Sequence, residues 1–420
     1  MREFPVILGE SVNHERLTLI RPYESRPSGV GFDLVPRRMT LRAQRVLKGL
    51  HIDEPDSAVF AAAHVRIENL DVWSGFVSFD RSALPGCTCP SARVIKHRDV
   101  VFTHNELRFR VRHRLGHFQF DQTRNHDGVA CPSWAVLEIE SDTPRPPDGF
   151  DDAIATWVDL VSFATRQACA LTAFTLVHAE PRQTGVPRMT ELGDGTHALR
   201  PTTVEREQKA QVYALWTVTP DPESARPVSL KDFTFLVEDR PLADWYNAWA
   251  SLPAGCRPGI NALLSLTYGR NTFVNSDFFA VASAAESIYR VYGDKAKPID
   301  SAEFKRTLKA ATKDLDETWA QRIKSAVRNE PEYVDKLKSL TALPDQQATA
   351  TVIPDRDRWA REFKDARNGA AHALSRADVG AVHLHRLTQQ TRTLLELVLM
   401  QKIGVAAEAQ RMHALTNGAG

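Results

Sequence analysis

The chain has 420 residues, 43% of them hydrophobic, and a formal net charge of +1. That length exceeds one ordinary domain, and two or three domains with proper cores are expected. The near-zero net charge excludes a global basic bias toward nucleic acid, so any RNA site has to be local.

Residues 1 to about 145 read as strands. Residues 5–8, 17–20, 59–67 and 72–79 are short apolar or alternating runs, with Pro, Gly, Ser and Asn between several of them. No apolar run reaches membrane length, and Met1-Arg-Glu-Phe-Pro has no apolar signal core, so a soluble cytoplasmic protein without a membrane partner is expected. The five cysteines, Cys87, Cys89, Cys131, Cys169 and Cys256, are odd in number and scattered, as in a reducing compartment. Cys87-x-Cys89 with His97 or His104 is half of a metal site at best, and no second pair follows. No metal and no cofactor are expected.

The informative strand is 107–114. Alternation puts Leu107, Phe109 and Val111 on one face and Arg108, Arg110, Arg112 and Arg114 on the other. Same-face residues lie roughly 6.8 Å apart, close to the phosphate spacing of an extended single strand, which makes these arginines candidate RNA contacts. Residues 137–142 alternate in the same way with acids on one face. If the two strands pair, Glu138, Glu140 and Asp142 neutralise the arginines across the ladder. Both readings stand at this level.

Residues 150–176 are helical, with Ile154, Trp157, Val158, Leu160, Val161 and Phe163 among the apolar positions, and 172–178 turn back into a strand. Residues 181–207, rich in Pro, Gly and Thr, read as a loop. Residues 210–219 and 232–237 read as strands. Residues 242–251 read as a short helix whose Trp245, Tyr246 and Trp249 are packing residues. No phosphate-cradling glycine loop is present, which excludes a nucleotide-driven motor or kinase.

A helical segment begins near 253–275. Its first helix, about 276–292, carries Phe278, Ala282, Ala285 and Tyr289 on its apolar face. Glu286 sits beside that face, placed to support a group on a neighbouring helix or to make an ordinary ion pair. A second helical region, 302–340, is interrupted at Pro331, and its lysines read as a solvated face. Residues 341–354 read as a mobile connector. Asp355 or Asp357 then caps a helix starting near Arg358. Trp359, Phe363, Ala366 and Ala370 form its apolar face. At about 100° per residue, Asn368 and His372 fall nearly opposite that face, with Arg367 on its flank. Ser375-x-x-Asp378 is a capping box for a last helix, whose stripe of Leu384, Leu387, Leu394, Leu395 and Val398 runs to about Ile403. A frayed tail follows from 406.

The residue types on the third helix suit phosphodiester chemistry. Arg367 is a permanent cation with a planar donor fork for phosphate. His372 gives or takes a proton near neutral pH. Asn368, one turn earlier, can bond a phosphate oxygen or the imidazole. Gly369, Ala370 and Ala371 leave room for another chain. Arg367 and His372 diverge by about 140° on an ideal helix, so two copies facing across a two-fold axis would make a denser site.

Arg367-Asn-Gly-Ala-Ala-His372 resembles the arginine, polar residue, three residues, histidine pattern of HEPN domains. Residues 275–290 look like the first helix of the ApeA-like HEPN group. Ile7-Leu8-Gly9-Glu10 and Leu17-Thr18-Leu19-Ile20 resemble the β-rich N-terminal domain of ApeA-type anti-phage proteins. The resemblance implies a metal-independent ribonuclease that limits phage spread through growth arrest and answers a phage-derived trigger. It also implies Arg367, His372 and Asn368 as the catalytic group.

The expected architecture is α+β: a β-rich region over 1–255, split near 145–205 if it holds two subdomains, an all-α HEPN-like four-helix bundle over 256–410, and a flexible tail over 411–420. The expected function is RNA cleavage through 2′-hydroxyl attack by a homodimer or higher homo-oligomer joined through the bundle. The alternative is a non-catalytic RNA- or protein-binding module whose bundle serves dimerisation.

Overall fold

The computed structural model describes residues 4–30, 36–76, 79–80, 93–116, 119–123, 126–130, 132–191, 197–214, 233–269, 273–371 and 380–418. The chain divides into two units, residues 1–228 with 236–247, and residues 229–235 with 248–420.

The first unit is β-rich. Its strands begin with β1 (Val6–Glu10), β2 (Arg16–Ile20), β3 (Tyr23–Val30), β4 (Pro36–Arg42), β5 (Arg45–Lys48) and β6 (Phe60–Ile67). They continue with β7 (Phe79–Asp80), β8 (Arg93–Val94), β9 (Val100–His104), β10 (Leu107–Leu115), β11 (Gln119–Thr123) and β12 (His126–Ala130). The last five are β13 (Ser133–Arg145), β14 (Leu171–His178), β15 (Arg182–Glu191), β16 (His197–Arg206) and β17 (Lys209–Ala214). Two helices, α1 (Leu70–Trp73) and α2 (Asp151–Thr165), interrupt them, and α3 (Leu242–Ala250) follows.

Nine strands form one antiparallel sheet in the order β1-β2-β5-β17-β14-β6-β13-β10-β9. β14 lies inside the interval 145–205 and pairs with both β6 and β17, so this sheet runs across it. Alternation decides which face is apolar. Phe109 and Val111 on β10 are fully buried, as are Leu137 and Ile139 opposite them on β13. Trp157 of α2 and Tyr246 of α3 pack against this face, with ring centroids 6.4 and 4.7 Å from Phe109. Such rings carry large buried areas, so the cluster is the main hydrophobic anchor of this unit.

Four segments differ from expectation. The helix read over 150–176 ends at Thr165, where Arg166 turns left-handed (φ 55°), and Leu171–His178 is strand β14. Residues 72 and 73 are helical, because Asn69 takes a left-handed conformation (φ 61°) and Leu70 and Trp73, three residues apart, bury together. Residues 182–206 contain the hairpin β15–β16 rather than only a loop. Pro187 faces Pro201 there, and each strand of a two-stranded ribbon is an edge, where a missing N–H is tolerated. Residues 233–236 are not a strand. Phe233, Thr234 and Phe235 are buried in succession, a pattern that alternation forbids for a half-buried strand, and a single 3₁₀ turn, Val237–Asp239, follows.

The second unit is helical: α4 (Arg257–Tyr268), α5 (Val274–Tyr292), α6 (Ser301–Ala311), α7 (Glu317–Ala326), α8 (Tyr333–Leu340), α9 (Gln346–Val352), α10 (Arg356–Ala371), α11 (Ala381–Lys402) and α12 (Ala407–Asn417). The region 302–340 is therefore three helices. Asp300 and Asp316 start α6 and α7 by accepting two backbone N–H bonds each. Helices α4 and α5 approach closely at Gly259. Its N–H donates to Ser287 Oγ at 3.1 Å, and an added Cβ would come within 2.9 Å of the Ser287 side chain.

Within the connector 341–354 lies helix α9, and residues 407–417 of the tail form helix α12, against expectation. Asp345 caps α9 through the Ala348 N–H, and Ala348, Thr349 and Val352 are buried. On α12 the buried residues are largely polar, which hid them from a search for apolar periodicity. Gln410 donates to Gln401 Oε1 and the Val405 carbonyl and accepts from the Asp345 N–H. His413 Nε2 lies 2.9 Å from Glu396 Oε2 on α11, and Arg392 holds the other Glu396 oxygen at 2.8 Å. Buried polar groups with their bonds made specify one docking geometry. Among the described residues no helix is long and apolar enough to cross a membrane.

Candidate active site

Helix α10 starts at Arg356. Asp355 is its cap, accepting from the Arg358 N–H at 2.9 Å, while Asp357 pairs with Lys338 at 2.8 Å. Trp359, Phe363 and Ala366 are buried, with the Phe363 ring centroid 4.7 Å from that of Phe278 on α5. This packing fixes the rotation of the helix. Asn368 is exposed and Arg367 is half-buried on the flank. His372, Ser375 and Asp378 lie outside the described residues, as do Cys87, Cys89 and Cys131.

Arg367 is held from two other helices. Its guanidinium donates to Glu286 Oε1 on α5 and lies over the Tyr333 ring of α8, 4.7 Å from the centroid. Burial pushes the Tyr333 phenol above its ordinary range, with the Arg367 charge opposing. The Tyr333 hydroxyl is buried with no hydrogen-bond partner among the described residues.

These three side chains line a cavity of about 690 Å³ between α5, α8, α10 and the segments 293–300 and 327–332. Arg290, Lys295, Lys297, Arg328, Lys336 and Arg367 line it, against two carboxylates, Glu286 and Glu330. The chain as a whole is only +1, so this is a local concentration of positive charge. Such a surface suits a phosphate-bearing ligand.

Two families match the sequence. Residues 2–183 match ApeA N-terminal domain 1, and residues 279–409 match the Apea-like HEPN family. The chain is an ApeA-like protein with a C-terminal HEPN domain. No curated protein and no solved structure matches it. At the level of the family this is the class of anti-phage HEPN nucleases, and HEPN domains commonly dimerise and bind RNA. Arg367, Glu286 and Tyr333 all fall inside the HEPN match.

The arginine strand of the ApeA-like chain lies in the other match, and carboxylates engage it. β10 pairs with β13 in the register Arg108↔Glu140 and Arg110↔Glu138. The buried Glu138 is 3.1 Å from Arg112, 4.0 Å from Arg110 and 3.9 Å from Arg114. Arg112 also meets Asp99 at 2.9 Å, and Arg108 meets Glu140 at 3.9 Å. Asp142 lies one residue beyond the register and is exposed. His104 bonds Asn247 through Nδ1 at 2.8 Å, and His97 packs against Phe76 and His113.

Sequence reasoning missed Tyr333, Arg328, Arg290 and Lys336 as parts of the HEPN cavity. The only local signal was Pro331, which breaks the helical region so that α8 restarts at Tyr333. Lys336 is the exception to the solvated-face reading, since it lines the cavity and sits 5.7 Å from the Tyr289 ring centroid.

Proposed function

We propose that this chain is a metal-independent endoribonuclease centred on Arg367, His372 and Asn368. His372 takes the proton of an RNA 2′-hydroxyl. The 2′-oxygen bonds to the adjacent phosphorus, the P–O5′ bond breaks, and the departing 5′-oxygen is protonated. Arg367 holds the charge that develops on the phosphate oxygens, and Asn368 bonds a phosphate oxygen or orients the imidazole. The products are a 2′,3′-cyclic phosphate and a 5′-hydroxyl. The observation that carries this reading is Arg367 itself, anchored by Glu286 and Tyr333 on the wall of a cavity rich in cations.

The working unit in this reading is a dimer that pools two motif helices. An added Cβ at Gly369 would meet nothing within 4 Å among the described residues, so that face of α10 is open to a second copy. In the cell, RNA cleavage would arrest growth and limit phage spread, released by a phage-derived trigger.

The test is purified protein on total cellular RNA, with the cleaved ends sequenced. His372→Ala and Arg367→Ala should each abolish cleavage while the fold is kept, with roughly 10²–10⁴-fold lost from the proton-transfer group alone. Cleavage should persist in excess EDTA. Full activity in His372→Ala, or a strict need for a divalent ion, would overturn the mechanism. The same anchoring of Arg367 would serve a purely structural cation, and the His372→Ala result is what separates the non-catalytic alternative from this reading. Mixing His372→Ala with Arg367→Ala protein separates shared from single-chain sites, since only shared sites change activity as subunits exchange.

A further inference from the structure

We infer that the cavity beside Arg367 is a nucleotide subsite for single-stranded RNA, holding the nucleotide next to the one being cut. This rests on the ribonuclease reading and specifies its substrate. Its two carboxylates are already used, Glu286 by Arg367 and Glu330 by Lys336 at 3.4 Å. Arg290, Lys295 and Arg328 have no ion-pair partner among the described residues, and Lys297 bonds only the Ser301 hydroxyl, at 3.0 Å. These cations converge from α5, from 293–300 and from 327–332. A solvated stripe along one helix would not do that. Asn329 ties the last two segments together, accepting from the Ile299 N–H at 3.2 Å and donating to the Ile299 carbonyl at 2.6 Å. The backbone segments that carry Lys295, Lys297 and Arg328 are thereby tied together before any ligand arrives, while those side chains and Arg290 remain exposed to meet it.

The rest of the lining calls for more than a bare phosphate. Ala285, Leu337 and Leu340 give the cavity a buried apolar side. Tyr333 adds a ring and a buried hydroxyl that has no hydrogen-bond partner among the described residues, a group that a ligand's polar edge would satisfy. A ligand with charged phosphate, a flat apolar base and polar base edges meets all three demands, and that is a nucleotide. The cavity lies within the usual range for small-ligand sites, about 300–1,000 Å³, which admits a splayed nucleotide but not a duplex. Its shared wall with Arg367 places that nucleotide in the strand being cut.

The experiment is fluorescence anisotropy with the full chain and a 2′-O-methyl RNA oligonucleotide, which binds but cannot be cut. Lys297→Gln/Arg328→Gln should weaken binding at least tenfold and lower the slope of log affinity against log salt by about 1.4. Tyr333→Phe should weaken binding without changing the slope. Lys305→Gln, an exposed α6 residue outside the cavity, should change neither. Unchanged binding in the double variant, an equal loss in Lys305→Gln, or ATP displacing the oligonucleotide at lower concentration than the unlabelled oligonucleotide itself would each overturn the subsite. If the variants behave as expected and wild-type protein cuts no RNA, the subsite stands and the chemistry beside it falls. If His372-dependent cutting is present and the double variant binds normally, the subsite alone falls.

Discussion

Arg367 and Glu286, 81 residues apart in sequence, form an ion pair between α10 and α5. Their side chains are 38% and 32% exposed, so the pair contributes little to stability, about 0–1 kcal/mol. Its consequence is orientation. Glu286→Gln should leave the melting temperature within a few degrees of wild type and lower RNA cleavage by about 10-fold or more, because the guanidinium loses its anchor. A normal cleavage rate with a lower melting temperature would make the pair structural.

Gly369 discriminates between packing within the chain and packing between copies. With nothing among the described residues within 4 Å of an added Cβ, Gly369→Ala should stabilise an isolated chain by roughly 0.5–1 kcal/mol through helix propensity. If two motif helices meet there, the same change should weaken dimerisation and cleavage. Mass in solution and melting temperature, read at several protein concentrations, separate the two. A stabilised variant with unaltered mass and activity would exclude contact at this residue.

The arginine strand has its own test in Glu138. One buried carboxylate serves three guanidinium groups. Glu138→Gln should destabilise the first unit by about 2 kcal/mol, below the 3–5 kcal/mol of a fully buried pair because the arginines are partly exposed. RNA affinity should stay unchanged. A gain in affinity with a steeper salt dependence would show instead that Arg108, Arg110, Arg112 and Arg114 track RNA once released.

Asp151, at the start of α2, is raised from 3.8 to about 6 by burial, against the opposing charge of its partner Arg45. A raised carboxyl favours its neutral form in the folded state. Its contribution to stability is therefore complete below its unfolded value and lost as pH rises through about 6. A carbon-detected titration of the aspartate carboxyls should show a midpoint near 6 that disappears in Asp151→Asn. A midpoint for Asp151 below 4 would mean that the Arg45 charge outweighs burial.

Local periodicity was enough to place β10, α2, α5, α10 and α11. Each repeats at 2.0 or 3.6 residues, and that repeat is written in consecutive side chains. It also put Arg367 on the flank of α10 and Asn368 on the exposed side. It could not find α9 or α12. The inward face of α12 includes Gln410 and His413, which are buried only because Asp345, Gln401 and Glu396 complete their hydrogen bonds. Nor could it show that β15 and β16 pair, since pairing depends on register between distant residues. The cavity was decided by tertiary structure alone. Arg328 and Tyr333 are unremarkable in their own stretch of sequence, and the stretches around Glu286 and Arg367 mark those two residues without showing the cavity they line. Only the packing of α5 and α8 against α10 gathers them, because charge concentration is a property of distance in space and leaves no trace in spacing along the chain.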